Sequence, residues 1–186
     1  MLDAIAANTP YPDVARHAKE FTRFITATPR AWSRATLPGH ITASAWVLDR
    51  TRSYAVLVHH RKLNLWLQPG GHVEDADASW RAAAQREVTE ETGLDRFIPQ
   101  VDDATLFDVD VHPIPARPNE PAHFHYDLRF LFIVDVDATV STVNSTLTIN
   151  AEEAHDCRWF ALTDLLNDSA LDTSVRRMIE LSIRSH

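Results

Sequence analysis

The apolar positions of PDVARHAKEFTRFITA (12–27) fall at Val14, Ala18, Phe21 and Phe24–Ile25, the spacing of one helix face. Pro12 stands near the start, where a helix tolerates proline. The pattern predicts an amphipathic helix standing outside the main domain core. Past Pro29 and Pro38 the pattern changes. ITASAWVLD (41–49) alternates only loosely but is β-rich, and SYAVLVHH (53–60) follows after the short DRTR, so the two predict a hairpin. Leu65–Leu67 is a short apolar piece before Gly70–Gly71, which reads as a tight loop. Residues 79–92 predict a helix, with Ser79 as N-cap, three consecutive alanines, and Gly93 as its stop. LFDVDVHPI (106–114), HFHYDLRFLFIVDV (123–136) and HDCRWFAL (155–162) predict further strands, and a last helix covers about 172–184. PIPARPNEP (113–121) carries four prolines and predicts an irregular connection. No repeat or low-complexity tract interrupts the chain. Strands mixed with a few helices predict an α/β or α+β layered domain.

Composition narrows the function. A chain of 186 residues suits one domain with an added terminal element, and 45% hydrophobic residues suffice for a core. The formal net charge of −8 argues against bulk nucleic acid bound through a broad basic surface. It leaves open a small phosphorylated molecule, which needs only a local cationic pocket or a metal. The single cysteine, Cys157, precludes an internal disulfide, fits a reducing compartment, and is expected to be a small buried apolar residue. No apolar run approaches the ~20 residues of a membrane span. The start, MLDAIAANTPYPD, has an early acid and no basic stretch, unlike a signal peptide. The expectation is a cytoplasmic protein with no membrane partner.

The unusual chemistry lies in QPGGHVEDADASWRAAAQREVTEETGL (68–94). Glu87, Glu90 and Glu91 stand at i, i+3 and i+4, on one side of the predicted helix. Like charges at that spacing cost a few tenths of a kcal/mol each, and the C-terminal end of a helix dipole disfavours anions. No lysine stands among them. Either the face is simply solvated, or a divalent cation neutralises it; carboxylate oxygens suit Mg²⁺ or Mn²⁺. Gly70–Gly71 would let backbone carbonyls reach the same ion, and Arg86 would hold a carboxylate in orientation.

These residues resemble the Nudix box, G-x5-E-x7-R-E-U-x-E-E-x-G-U, with U a bulky apolar residue. Arg86, Glu87, Val88, Glu90, Glu91, Gly93 and Leu94 match its second half, and Gly71 its opening glycine. The interval from Gly71 to Arg86 is one residue longer than the pattern. Ala78 therefore holds the place of the first glutamate, with Asp77 beside it and Glu74 nearby. The resemblance covers about 40–184. It implies an α/β fold, an α/β/α sandwich around a mixed β-sheet, with an extra N-terminal helix; residues 1–38 would form that extension and 39–186 the Nudix domain. It further implies hydrolysis of a nucleoside diphosphate linked to another moiety, with Mg²⁺ or Mn²⁺ as cofactor. Gly71, with its neighbour Gly70, and Glu87, Glu90 and Glu91 would hold the metal, and Arg86 and Glu90 would be catalytic. A general base would come from the box or from Glu120, Glu152 or Glu153. The substrate would be a small, nucleotide-derived phosphorylated molecule, and a homodimer is one option for the assembly.

Other residues invite a role. His123, His125 and Asp127 alternate onto one strand face, where the His-x-His pair would meet a transition metal, a substrate phosphate, or only solvent. His72 follows the glycine pair, so His72, His123 and His125 are candidate substrate contacts. His59 and His60 are similar cases; Trp46, Trp66 and Trp80 could stack a base but are expected as semi-buried core residues, and Trp159 as core packing for the last strand. HFH and the 113–121 segment are the candidate specificity elements. Two alternatives stand beside the hydrolase. One is a Nudix domain without chemistry, serving as a ligand-binding or regulatory module. The other is an isoprenyl-diphosphate isomerase-like enzyme, against which the position of Cys157 in a late strand weighs.

Overall fold

The computed structural model describes residues 1–100, 105–118, 120–139 and 143–184. The fold class is mixed α/β. Among the described residues seven strands form one sheet: β1 (Gly39–Leu48), β2 (Tyr54–His60), β3 (Leu65–Leu67), β4 (Gly70–His72), β5 (Asp108–Ile114), β6 (His123–Ile133) and β7 (Ala154–Ala161). Their order is β3-β2-β1-β6-β5, with β4 paired to β1 and β7 to β2. The helices are α1 (Leu2–Asn8), α2 (Pro12–Ala27), α3 (Trp80–Thr92), α4 (Leu162–Leu166) and α5 (Thr173–Arg184). The N-terminal extension thus carries two helices where the sequence predicts one, and the Gly70–Gly71 segment is a short strand rather than a loop. No described helix is long and apolar enough to cross a membrane.

Two compact units divide the chain. The first comprises Met1–Ser44, Gly71–Ala84 and Ala104–Phe130. Here α2 packs on β5, and Val14, Ala18, Phe21 and Phe24 are buried. Phe24 stacks on Tyr126 at 3.9 Å between ring centroids, and Phe21 meets the same ring edge-on at 5.6 Å. The helix expected outside the main domain core thus has a buried face of its own, packed on β5. Aromatic burial of this size dominates local packing energy, and it makes α2 part of the unit's core.

The second unit comprises Ala45–Gly70, Gln85–Asp103 and Leu131–His186. β2 pairs antiparallel with β7 along its whole length, from Tyr54 opposite Ala161 to His60 opposite Ala154. The expected hairpin of β1 and β2 is present, with Leu48 opposite Ala55. Trp46 is fully buried and its indole N–H donates to Ser182 Oγ on α5 at 2.7 Å. Trp159 is buried as expected, whereas Trp66 is only half-buried, stacked on His59.

The stop of α3 also lies in this unit. Gly93 takes φ +74°, its N–H donates to the Thr89 carbonyl, and a Cβ there would sit 2.9 Å from Thr148 Cβ and Oγ1. A left-handed φ and a blocked Cβ both select glycine. Gly93→Ala is expected to cost about 1–3 kcal/mol in urea unfolding. An unchanged midpoint would show that Thr148 yields freely.

Candidate metal and active site

The buried positions of α3 are Ala83, Ala84, Glu87, Val88, Glu91 and Thr92. They recur at four-residue intervals and form one stripe, the face a helix normally fills with apolar side chains. Two carboxylates therefore occupy core-facing positions. Glu87 is 8% exposed and Glu91 5%, whereas the Glu90 side chain is 51% exposed. The solvated-face alternative fails for Glu87 and Glu91. The glutamates do not share one environment: two face inward and one outward. Ser79 caps the helix as expected, its Oγ accepting from the Ala82 N–H at 3.1 Å.

Burial sets the electrostatics. Desolvation pushes Glu87 up to about 7 against the pull of Arg86, with the Glu90 and Glu153 charges adding to the rise. Desolvation pushes Glu91 up to about 8 despite a hydrogen bond from the Gly70 N–H, and the charges of Glu87, Glu153 and Glu90 add to it. Gly70 donates to Glu91 Oε2 at 2.9 Å. The glycine segment thus meets the helix through an N–H of Gly70, where the sequence suggested a carbonyl. Arg86 donates to Glu87 Oε1 at 2.9 Å and to Glu90 Oε2 at 3.0 Å, bridging the inward and outward carboxylates.

This donor set fits a hard divalent cation. Glu87 and Glu91 are oxygen donors held four residues apart on one buried helix face. Such carboxylates are stable in the charged form only when paired or metal-bound. Arg86 is shared between Glu87 and Glu90, and the Gly70 N–H serves Glu91.

The remaining acids separate clearly. Glu152 and Glu153 are exposed in the turn before β7, and the charge of Glu153 acts on both Glu87 and Glu91. Glu120 sits in the other unit, 3.8 Å from Arg117 and 3.9 Å from Arg34. Asp77, beside Ala78, accepts the Glu74 N–H at 2.8 Å and so closes its own loop, while Glu74 is exposed. Asn119 of the 113–121 segment lies outside the described residues.

The first unit gathers histidines. β1 supplies His40 and β6 supplies His123 and His125, with His72 and His112 nearby. His123 Nε2 is 3.2 Å from His125 Nε2, and His123 Nδ1 is 2.9 Å from the Pro121 carbonyl. Burial first, and then the neighbouring rings, lowers His125 to about 2; burial and His123 lower His40 to about 4. His123 is buried and His125 half-buried, so this strand face is not solvated. Sequence reading found His72, His123 and His125 but missed His40 and His112. Register explains part of the gathering, since His112 stands opposite His125.

The same register builds a polar ladder below the histidines, Asp110 opposite Asp127 and Asp108 opposite Arg129. Arg129 is 2% exposed and donates to Asp127 at 2.8 Å, Asp108 at 3.0 Å and Asp110 at 3.3 Å. Burial would lower the Arg129 pKa, but Asp110, Asp127 and Asp108 together raise it. Burial would likewise raise Asp110; hydrogen bonds from His112 and His17 and the Arg129 charge outweigh that and hold it well below the usual carboxylate range. Thr42 and Ser44 donate to Asp127 from β1.

A family model described as the NUDIX domain matches residues 38–181. The chain belongs to the Nudix hydrolase family. Solved structures carry the same fold. A Nudix-family hydrolase from Clostridium perfringens aligns with TM-score 0.51 at 20% identity, over 79% of this chain and 98% of that one. The Nudix domain of Shewanella oneidensis NrtR, complexed with ADP-ribose, aligns with TM-score 0.55 at 16% identity, over 88% and 97%. No curated protein matches the sequence.

Within this Nudix domain Cys157 is 3% exposed on β7, and desolvation, with the Glu91 and Asp156 charges, pushes its thiol up to about 12. A nucleophilic cysteine needs the opposite, an exposed thiol of lowered pKa. This counts against the isomerase-like alternative. Iodoacetamide at pH 8 is expected to leave Cys157 unmodified in the folded protein and to alkylate it fully in urea, read by intact mass. Rapid native labelling would contradict the burial.

Proposed function

We propose that this Nudix domain hydrolyses the diphosphate linkage of a nucleoside diphosphate joined to another moiety, with Mg²⁺ or Mn²⁺ held by Glu87 and Glu91. The observation that carries the reading is the pair of carboxylates on the buried stripe of α3. Burying two acids there opposes folding unless charge is supplied, so a role beyond packing accounts for them. A divalent ion held by these residues would supply charge neutralisation for a diphosphate and a lowered pKa for water.

The chain's own groups do the rest. Arg86 fixes the carboxylates of Glu87 and Glu90 through its two hydrogen bonds, as an orienting outer partner. Gly70 fixes Glu91 through its N–H, and Gly71 is the proposed carbonyl donor. Glu90, paired with Arg86 but 51% exposed, is the proposed partner of water or a further ion. Glu153 is the proposed general base, since its charge already reaches both buried glutamates and its exposed side chain is accessible to water. The water oxygen bonds to one phosphorus, the bridging P–O bond breaks, the proton passes to the base, and a nucleoside monophosphate and a phosphorylated product leave.

The test is product release from a panel with Mg²⁺ or Mn²⁺. ADP-ribose comes first, because a Nudix domain of this fold binds it; dinucleoside polyphosphates, sugar nucleotides, oxidised nucleotides and coenzyme A follow. Turnover that needs the cation and stops with EDTA supports the hydrolase. Ligand binding without turnover would support a binding module instead.

A further inference from the structure

The histidine cluster of the first unit has a chemistry of its own. One nitrogen each from His40, His123 and His125 lies within 4.8 Å of the others. The Pro121 carbonyl accepts a hydrogen bond from His123 Nδ1, so in the neutral ring Nε2 carries the lone pair, with Glu120 Oε1 3.9 Å from that nitrogen. That lone pair points at His125 Nε2, 3.2 Å away. Two imidazole nitrogens on one tetrahedral Zn²⁺, with bonds of about 2.0–2.1 Å, stand about 3.3–3.4 Å apart. The pair is therefore already at chelate spacing. The carbonyl behind His123 is the usual outer partner that fixes a ligating ring.

His40 completes the set. Its ring is 1% exposed, and neither nitrogen makes a hydrogen bond of ordinary geometry among the described residues, a looser contact with the Thr36 backbone aside. A buried imidazole left so costs free energy that a metal bond would recover. Its centroid lies 4.9 Å from those of both His123 and His125.

The donor type selects the ligand. An imidazole ligates a metal ion through the lone pair of its neutral ring and adds no charge of its own. The arginines beside them, Arg34 and Arg117, are engaged with Glu120. A phosphate would find little to neutralise it here, whereas a cation with affinity for imidazole would find ligands. We propose that His40, His123 and His125 bind one divalent transition ion of the Zn²⁺ class, a site whose nitrogen donors set it apart from the carboxylates of α3.

The experiment uses the full chain, stripped by chelator and titrated with Co²⁺ under excess Mg²⁺, so that the carboxylates are occupied by the harder ion. The expected result is one equivalent of Co²⁺ with the visible bands of a nitrogen-bound, low-coordinate ion, displaced by one equivalent of Zn²⁺. His123→Ala and His125→Ala should weaken binding by more than about 100-fold, the most that loss of an outer-shell partner costs. The Glu87→Gln/Glu91→Gln double variant should keep the bands. Should a histidine variant fail to fold by circular dichroism, ¹⁵N side-chain spectra of the wild type decide: Zn²⁺ must shift the three rings together. Bands that survive both histidine substitutions, bands lost in the glutamate variant, or rings unmoved by Zn²⁺ would each overturn the site.

Discussion

Glu91→Gln is expected to lower turnover about 10²–10³-fold, the scale of losing one preorganised charged group at a reacting centre. It should also make the metal-free protein more stable. The sign follows from burial. Glu91 and Glu87 hold their protons up to about 8 and about 7 in the folded chain, against 4.5 when unfolded. Between those values the native state binds more protons than the unfolded one, so stability falls as pH rises from about 5 to about 8. Glutamine keeps the shape and removes one ionisation, which flattens that slope. Thermal unfolding of chelated wild type and variant at pH 5.5 and 8.5 checks the stability half, and hydrolysis with Mg²⁺ checks the other. A variant that is both fully active and equally pH-sensitive would remove Glu91 from the site.

Arg129→Leu should destabilise the protein by about 3–5 kcal/mol, the cost of breaking a buried ion pair by deleting one partner. The arginine is 2% exposed and its guanidinium serves three aspartates on two strands. Leucine would leave Asp108, Asp110 and Asp127 with their mutual repulsion. Lysine is not a substitute, because one ammonium cannot match a planar fork that donates in three directions. Arg129→Lys is therefore expected to recover less than half of the loss. Urea unfolding with an unchanged slope is the measurement. A loss under 1 kcal/mol would mean that the aspartates protonate freely and that the ladder is not held by charge.

That ladder also marks where reading the chain stops. Local rules settled most of the elements: the spacing of Val14, Ala18 and Phe21 gave α2, Ser79 and Gly93 bounded α3, and the alternations gave β5 and β6 to within a few residues. The two-residue and four-residue periods are properties of neighbours along the chain. So is the run Arg86-Glu87-x-x-Glu90-Glu91, whose spacing alone places its acids on one helix side and marks the family. α1 and α4 escaped because helices of 7 and 5 residues carry too few positions for a period to show.

What the tertiary structure decided was which way those faces turn and what stands opposite. Spacing grouped Glu87, Glu90 and Glu91, but only packing buried the first and last and left Glu90 in water. The pair His123–His125 was legible; its partner His40, 83 positions earlier in the chain, was not. Nor was the register that sets His112 against His125 and Asp108 against Arg129. A strand sequence specifies its own two faces through the pleat, but a slip of one residue would exchange them, and the choice is made by the whole buried surface at once. The sequence by itself therefore determined the chemistry available to this Nudix domain. The fold determined which of those groups are desolvated together, and desolvation is what turns a carboxylate pair or a set of imidazoles into a site for a cation.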